Sequence, residues 1–250
     1  MTAHSKKRIR GNLPDVIVLC GGLGTRLRSV ISDNPKALAS IGDAPFLDIL
    51  LEQIFDQGFE RVILAVGYMG EKIIEQYSRD FRILFSSEES PLGTGGAVMR
   101  AMGLVRSEHV VVMNGDSYCE VDFDALLNEH NKRAPLASFV LAEVENISDF
   151  GSIRVEPDGR ILSFEEKVPE KRSGLINAGV YVFSKRVRDY APARNSFSLE
   201  NDLFPILIKE YCYGHVVLGT VLDIGTPERY NFAKEKLKYK AKKQTHHGRK

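Results

Sequence analysis

Asp15-Val16-Ile17-Val18-Leu19-Cys20-Gly21-Gly22-Leu23-Gly24-Thr25-Arg26-Leu27 is the stretch on which the fold turns. Residues 15–20 are almost wholly apolar, the composition of a strand buried on both faces, and the glycines that follow end that strand in a tight turn. Gly21, Gly22 and Gly24 let backbone N–H groups come close to an anion, and the turn can aim its amides at phosphate. A Walker A loop would close on Gly-Lys-Ser/Thr, where Gly24-Thr25-Arg26 stands, so a P-loop NTPase does not fit. A dinucleotide fingerprint would need a third glycine at Leu27 and an acid at the end of the next strand. A plain strand-to-helix turn explains one or two glycines, but not three followed at once by Arg26.

Outward from this turn, short β-branched runs alternate with longer helical stretches, the pattern of a mainly parallel sheet with covered faces. Strands are predicted at 15–20, 61–66, 82–85 and 109–113, helices at 46–57, 71–77, 95–102 and 123–133, and a further strand at 137–144. After Phe150, residues 152–156 and 160–166 alternate around Pro157-Asp158-Gly159, which reads as a β-hairpin and makes the second half mixed. A strand at 176–183, a helix over about 199–210, a strand at 215–218 and a helix after Pro227 complete the chain. The class is α/β, a single domain at 14–240 between a flexible basic N-terminus (1–13) and a flexible basic tail (241–250).

The 250 residues, 43% hydrophobic, suffice for one full core. No run approaches the roughly 18–20 apolar residues of a membrane span, and no apolar leader follows Lys6, Lys7, Arg8 and Arg10, which predicts a cytoplasmic protein without a membrane partner. The formal charge of +1 hides an asymmetry: those four residues carry +4 and residues 234–250 carry +7, leaving the body near −10. So acidic a body argues against a nucleic-acid face, and the basic ends read as solvated termini. Cys20, Cys119 and Cys212 lack metal or redox spacing and are expected to be reduced and structural; His246 and His247 in the tail need no metal.

Further motifs have bland readings beside sharp ones. Lys36 in Asn34-Pro35-Lys36-Ala37-Leu38 could be a surface charge, and Glu88 to Gly96, with Gly93 and Thr94 inside it, an ordinary glycine-rich turn with a helix cap. Asn114-Gly115-Asp116 puts a carboxylate at the carboxyl end of a central strand, where open α/β sheets bind ligands. Asp223, in Asp223-Ile224-Gly225-Thr226-Pro227, could equally cap a helix, and its spacing cannot show that it meets Asp116. Glu165-Glu166-Lys167 would pass for a solvated strand end.

Taken together, Gly-Gly-x-Gly-Thr-Arg-Leu at 21–27 followed by Pro35-Lys36 resembles the signature of the sugar nucleotidyltransferase family, and further pieces follow in the family's order over residues 14–230. The resemblance implies a Rossmann-like mixed sheet of the nucleotide-diphospho-sugar transferase, GT-A-like kind. It implies that Leu19, Gly21, Gly22, Gly24, Thr25, Arg26 and Lys36 bind the nucleotide phosphates, and that Glu88, Gly93 and Thr94 belong to the segment facing the base. Asp116 and Asp223 would hold Mg²⁺, while Gly151, Glu165 or Glu166, Lys167 and Asn177 would form the sugar-phosphate half. Arg26, Lys36, Asp116 and Lys167 would carry catalysis: a sugar phosphate is largely dianionic at neutral pH and needs no general base, only relief of repulsion between two anions.

The expected partners are therefore an NTP, GTP favoured, and a sugar 1-phosphate; a homo-oligomer is left open. The compact chain, ending soon after Asp223 with no room for a left-handed β-helix domain, looks most like bacterial guanylyltransferases acting on D-glycero-α-D-manno-heptose 1-phosphate, whose GDP-heptose would feed a capsule, S-layer or lipopolysaccharide. Mannose-1-phosphate guanylyltransferases come next, and glucose 1-phosphate with UTP or dTTP stays open. Two rivals are weaker. A non-catalytic nucleotide-sugar-binding regulator would not need Arg26, Lys36, Asp116, Lys167 and Asp223 together, and molybdenum cofactor guanylyltransferases lack the Glu-Glu-Lys and Asn-Ala-Gly elements.

Overall fold

The computed structural model describes residues 13–244 apart from 23, 28, 29, 32, 149 and 167–170; at Glu166 and at 239–244 it describes the backbone alone. The strands are β1 (Asp15–Leu19), β2 (Ser40–Ile41), β3 (Ala44–Pro45), β4 (Val62–Val66), β5 (Ile83–Ser87), β6 (His109–Asn114), β7 (Ser117–Tyr118), β8 (Ala137–Val144), β9 (Gly151–Val155), β10 (Ile161–Glu166), β11 (Gly174–Ser184), β12 (Cys212–Val217) and β13 (Leu222–Asp223). The α-helices are α1 (Phe46–Asp56), α2 (Gly70–Tyr77), α3 (Gly93–Ala101), α4 (Phe123–Arg133), α5 (Phe204–Glu210) and α6 (Pro227–Gln244).

Among the described residues, nine strands form one mixed sheet. Parallel pairs run β5-β4-β1-β6; β11 then lies antiparallel to both β6 and β8, and β12 joins β8 in parallel. The β9–β10 hairpin extends the sheet beside the first residues of β11. The expected α/β class and mixed second half are thus what the chain adopts.

Alternation along the central strands fills both faces. Val16 and Val18 of β1 pack with α1, α2, α4 and α6 on one face, while Ile17 packs with α3 and α5 on the other. On the second face Phe204 of α5 meets Phe139, Tyr181 and Phe164 edge-on or tilted, with centroids 4.7–5.5 Å away, so the strands of the second half are clamped to the same core.

Several boundaries move from those expected. The helix predicted from 95 starts at Gly93, and the strand predicted at 215–218 runs over Cys212–Val217. The helix expected over 199–210 opens with a π turn, Leu199–Leu203, before α5. The tail boundary at 240 is passed by α6, which continues to Gln244 through lysines and an alanine of high helix propensity. Residues 1–12 of the expected basic N-terminus and 245–250 of the tail lie outside the described residues, whereas Leu13 packs against the core.

The three cysteines are buried and unpaired, and burial pushes the thiols of Cys119 and Cys212 up to about 12, which makes them poor nucleophiles. Below the sheet's amino edge, His130 of α4 is fully buried between Ser138 Oγ (2.8 Å from Nδ1) and His109 Nδ1 (3.1 Å from Nε2). Burial, reinforced by neighbouring His109, pushes its ring down to about 3. No α-helix among the described residues is long and apolar enough to cross a membrane.

Candidate functional site

β1 lies between β4 on one side and β6 on the other, so the chain leaves the end of β1 in one direction and that of β6 in the other. The crevice at such a reversal, beyond the carboxyl ends of the strands, is where open sheets take ligands. Here it is a cavity of about 450 Å³ lined by Leu19, Gly21, Gly22, Lys36, Glu88, Gly93, Thr94 and Asp116 from the expected site, and by Asn114 and Glu200, to which the sequence assigned no role. A second cavity, of about 330 Å³, lies between α1 and residues 118–121 and is lined by none of these residues.

Glycine closes the switch point. The Gly115 N–H donates to Leu19 O at 2.9 Å, and a β-carbon at 115 would lie 2.5 Å from that same oxygen. Only glycine lets the end of β6 press on the end of β1 and carry Asp116 over it. Thr25, Arg26 and Leu27 form a 3₁₀ turn with Leu27 buried and Arg26 exposed. Gly24, Thr25 and Arg26 are not part of the cavity wall, although Gly24 backs the stem of Lys36 at 3.4 Å from where its β-carbon would be.

The segment expected to face the base does two jobs. Glu88 follows β5, its Oε2 accepts from Leu92 N at 3.1 Å, and its Oε1 would lie 2.2 Å from a β-carbon on Gly67. The sequence reading passed over Gly67, which makes room for that carboxylate. Thr94, by contrast, spends its hydroxyl within the protein, donating to Glu200 Oε2 and accepting from Leu199 N, both at 2.8 Å. Ser198 Oγ donates to the same Glu200 oxygen at 2.8 Å, so two hydroxyls fix Glu200 on the π turn, with its carboxylate at the cavity. An acid after a capping serine was the sole cue to it in the sequence.

Beside the glycine turn, Lys36 Nζ lies 2.5 Å from Asp116 Oδ2, with side chains 14% and 40% exposed. Burial would raise the Asp116 carboxyl, but the Lys36 charge and hydrogen bond, with help from Ser117, hold it below the usual carboxylate range. Solvent reaches the pair, so it matters as geometry more than as stability.

Asp223 reaches Asp116 through the backbone. β13 pairs antiparallel with β7, with Asp223 opposite Ser117, and Ile224 N–H donates to Asp116 O at 3.0 Å. The helix-capping reading of Asp223 fails, because Thr226 Oγ1 accepts from Arg229 N at the start of α6. Asp223 instead accepts from Gly225 N (2.8 Å, Oδ1) and from Arg229 Nη1 (3.0 Å, Oδ2), and Arg229 was not foreseen.

Of the expected sugar-phosphate residues, Gly151, Glu165, Glu166 and Asn177 sit on three adjacent strands and are not part of the cavity wall. Gly151 of β9 is opposite Glu166 of β10, and Ile176 of β11, next to Asn177, is opposite Ser152 of β9. Asn177 uses both ends of its amide internally, donating to Tyr181 OH at 2.7 Å and accepting from Gly179 N at 3.0 Å across an irregularity in β11. The Glu165 side chain is 52% exposed, 3.9 Å from Arg154. Lys167 lies outside the described residues.

Asn114 Oδ1, at the end of β6, is buried without a hydrogen-bond partner among the described residues, as a group awaiting a ligand's donor would be. Two carboxylates joined by a ladder match the protein's share of the donor set that a hard cation takes when phosphates and waters complete it. No cluster of three or more His, Cys, Asp or Glu among the described residues makes a protein-only metal cage, and Mg²⁺ bound with phosphates needs none.

Residues 15–240 match the family model described as nucleotidyl transferase. The chain belongs to the nucleotidyl transferase family. Members generally use a divalent metal, and the carboxylate pair of this nucleotidyl transferase fits one. The chain is 37% identical over 217 residues to a D-glycero-alpha-D-manno-heptose 1-phosphate guanylyltransferase of Campylobacter jejuni, covering 86% of this chain and 96% of the other. The protein of that name from Aneurinibacillus thermoaerophilus is 33% identical, with 90% and 99% covered. A mannose-1-phosphate guanylyltransferase of Mycobacterium tuberculosis is 33% identical, but this chain spans 62% of it. Among solved structures, HddC from Yersinia pseudotuberculosis complexed with GMP-PN superposes with a TM-score of 0.79 at 34% identity, over 90% of this chain and all of that one.

Proposed function

We propose that this nucleotidyl transferase is a Mg²⁺-dependent guanylyltransferase that joins GTP to D-glycero-α-D-manno-heptose 1-phosphate in the cytoplasm, yielding GDP-heptose and pyrophosphate. The observation that carries the base is Glu88, a carboxylate at the cavity seated in the space left by Gly67. Guanine offers adjacent N1–H and N2–H donors that a carboxylate can accept together; adenine, uracil and thymine offer no such pair. The acceptor sugar rests on likeness to the two heptose enzymes, which this chain matches along almost their whole length. The mannose 1-phosphate reading has the shorter match.

In the reaction, an oxygen of the dianionic sugar phosphate attacks the α-phosphorus of GTP, and the bond from that phosphorus to the α–β bridging oxygen breaks to release pyrophosphate. Backbone amides at Gly21 and Gly22 and the Lys36 ammonium face the nucleotide phosphates, joined by Arg26 from the turn. Lys167 holds the sugar phosphate, with Gly151, Glu166 and Asn177 toward the sugar. Asp116 and Asp223 would hold Mg²⁺, and the ion would supply charge neutralisation between the two anions.

The test is pyrophosphate release with Mg²⁺ from GTP, UTP, dTTP, ATP and CTP against heptose, mannose and glucose 1-phosphates, with an EDTA control. Release confined to GTP and the manno-heptose phosphate is expected. Activity with another pair alone would replace the substrates while keeping the chemistry. Nucleotide binding without release from any pair would favour a non-catalytic regulator.

A further inference from the structure

Each of the two carboxylates joined by the β7–β13 ladder already has a basic partner. Lys36 Nζ is 2.5 Å from Asp116 Oδ2, and Arg229 Nη1 donates to Asp223 Oδ2 at 3.0 Å. A β-carbon on Gly225 would lie 2.7 Å from Asp223 Oδ1 and 3.7 Å from Lys36 Nζ, so Gly225 stands between Asp223 and the ammonium paired with Asp116. Two negative charges therefore meet two positive ones.

Arg229 is held by its ion pair and by a ring contact. It sits on the first turn of α6, its guanidinium carbon is 4.7 Å from the centroid of the Phe150 ring, and that ring immediately precedes Gly151 at the start of β9. Lys36 reaches its acid on a flexible stem that crosses Gly24.

We propose that Arg229 is a positioning residue of the transfer reaction: with Lys36 it neutralises and aims the Asp116–Asp223 pair, so that the divalent ion is held tightly there only together with the nucleotide phosphates. A lone dication meets a site of no net charge, and Coulomb attraction gives it little hold. Phosphates change the balance, because their negative charges satisfy Lys36 and complete the oxygen ligands that a hard cation needs. The guanidinium stays on Asp223 and keeps one face of that carboxylate turned to the ion. This rests on the metal assignment made above, and the experiment separates the two.

Mn²⁺ serves as the probe, with free ion measured by electron paramagnetic resonance during titration of nucleotide-free protein and of protein saturated with GTP. Arg229→Met removes the charge, Arg229→Gln removes it but keeps a donor for Asp223, and Asp223→Asn removes the acid. We expect the nucleotide-free Arg229→Met and Arg229→Gln proteins to bind Mn²⁺ at least tenfold more tightly than the unsubstituted protein. GTP should narrow that gap, and Asp223→Asn should weaken the GTP-dependent site. A purely structural role for Arg229 could only loosen metal binding, so tightening is diagnostic. If both Arg229 variants bind Mn²⁺ no more tightly than the parent while Asp223→Asn still weakens the GTP-dependent site, the counter-ion role is overturned and the metal assignment survives. If Asp223→Asn leaves Mn²⁺ binding with GTP unchanged, both fall.

Discussion

Acidification should destabilise this protein through one buried ring. His130 is fully buried against Ser138 and His109, and burial pushes its pKa down to about 3. In the unfolded chain the ring titrates near its ordinary value of about 6.5. Between those values the unfolded state binds a proton that the folded state refuses, so stability falls as the pH drops. The loss begins near the unfolded value and continues toward the folded one. With 1.36 kcal/mol per pH unit, the stability lost between pH 7 and 5 is about 2 kcal/mol, of which roughly 0.7 is gone by pH 6. That figure needs only that the folded value lie below 5. The assay is urea unfolding at pH 7, 6 and 5 of the parent and of His130→Leu, which cannot titrate. The variant should be weaker at pH 7 by about 1–3 kcal/mol, because Ser138 loses a buried partner. Its stability should nonetheless fall by about 2 kcal/mol less than the parent's over the same range. Parallel pH profiles would refute the reasoning whatever the absolute stabilities.

Two further predictions concern the site. Lys36→Ala and Asp116→Ala should each lower kcat about a hundredfold or more, the loss of about 3 kcal/mol of charge stabilisation, with the melting temperature little changed; near-normal turnover would remove the pair from the mechanism. Glu88→Gln should cut the kcat/KM preference for GTP over ATP about tenfold or more, since an amide cannot accept two donors as a carboxylate does. Gly67→Ala, whose methyl would lie 2.2 Å from Glu88 Oε1, should do the same by moving that side chain, and an unchanged preference in both would clear Glu88 of reading the base.

The sheet was legible because its central strands are near-continuous apolar runs, and the site's first half because a glycine turn follows the first of them directly. β2, β3, β7 and β13 are two residues long, too short for any periodicity to show, and two of these form the ladder that makes Asp223 a neighbour of Asp116. The segment from Gly93 to Gly96 could be read as a turn beside the base, yet the N–H groups of Gly95 and Gly96 donate to Phe197 O, a contact across more than a hundred residues. For the same reason Glu200 went unseen: its place depends on Thr94, remote in sequence. Arg229 was hidden by its setting, one more basic residue at the start of a lysine-rich helix.

The ladder between Ser117–Tyr118 and Leu222–Asp223 also orders events in time. On a ribosome the first wall of the cavity, from Leu19 to Asp116, emerges long before Asp223 does. Domains fold as units while synthesis proceeds from the N-terminus. The amides of the glycine turn are thus synthesised first, and the second carboxylate follows more than a hundred residues after Asp116. The two-residue ladder works as a completeness check, and a polypeptide cut short before Leu222 would be left with half of its acidic pair.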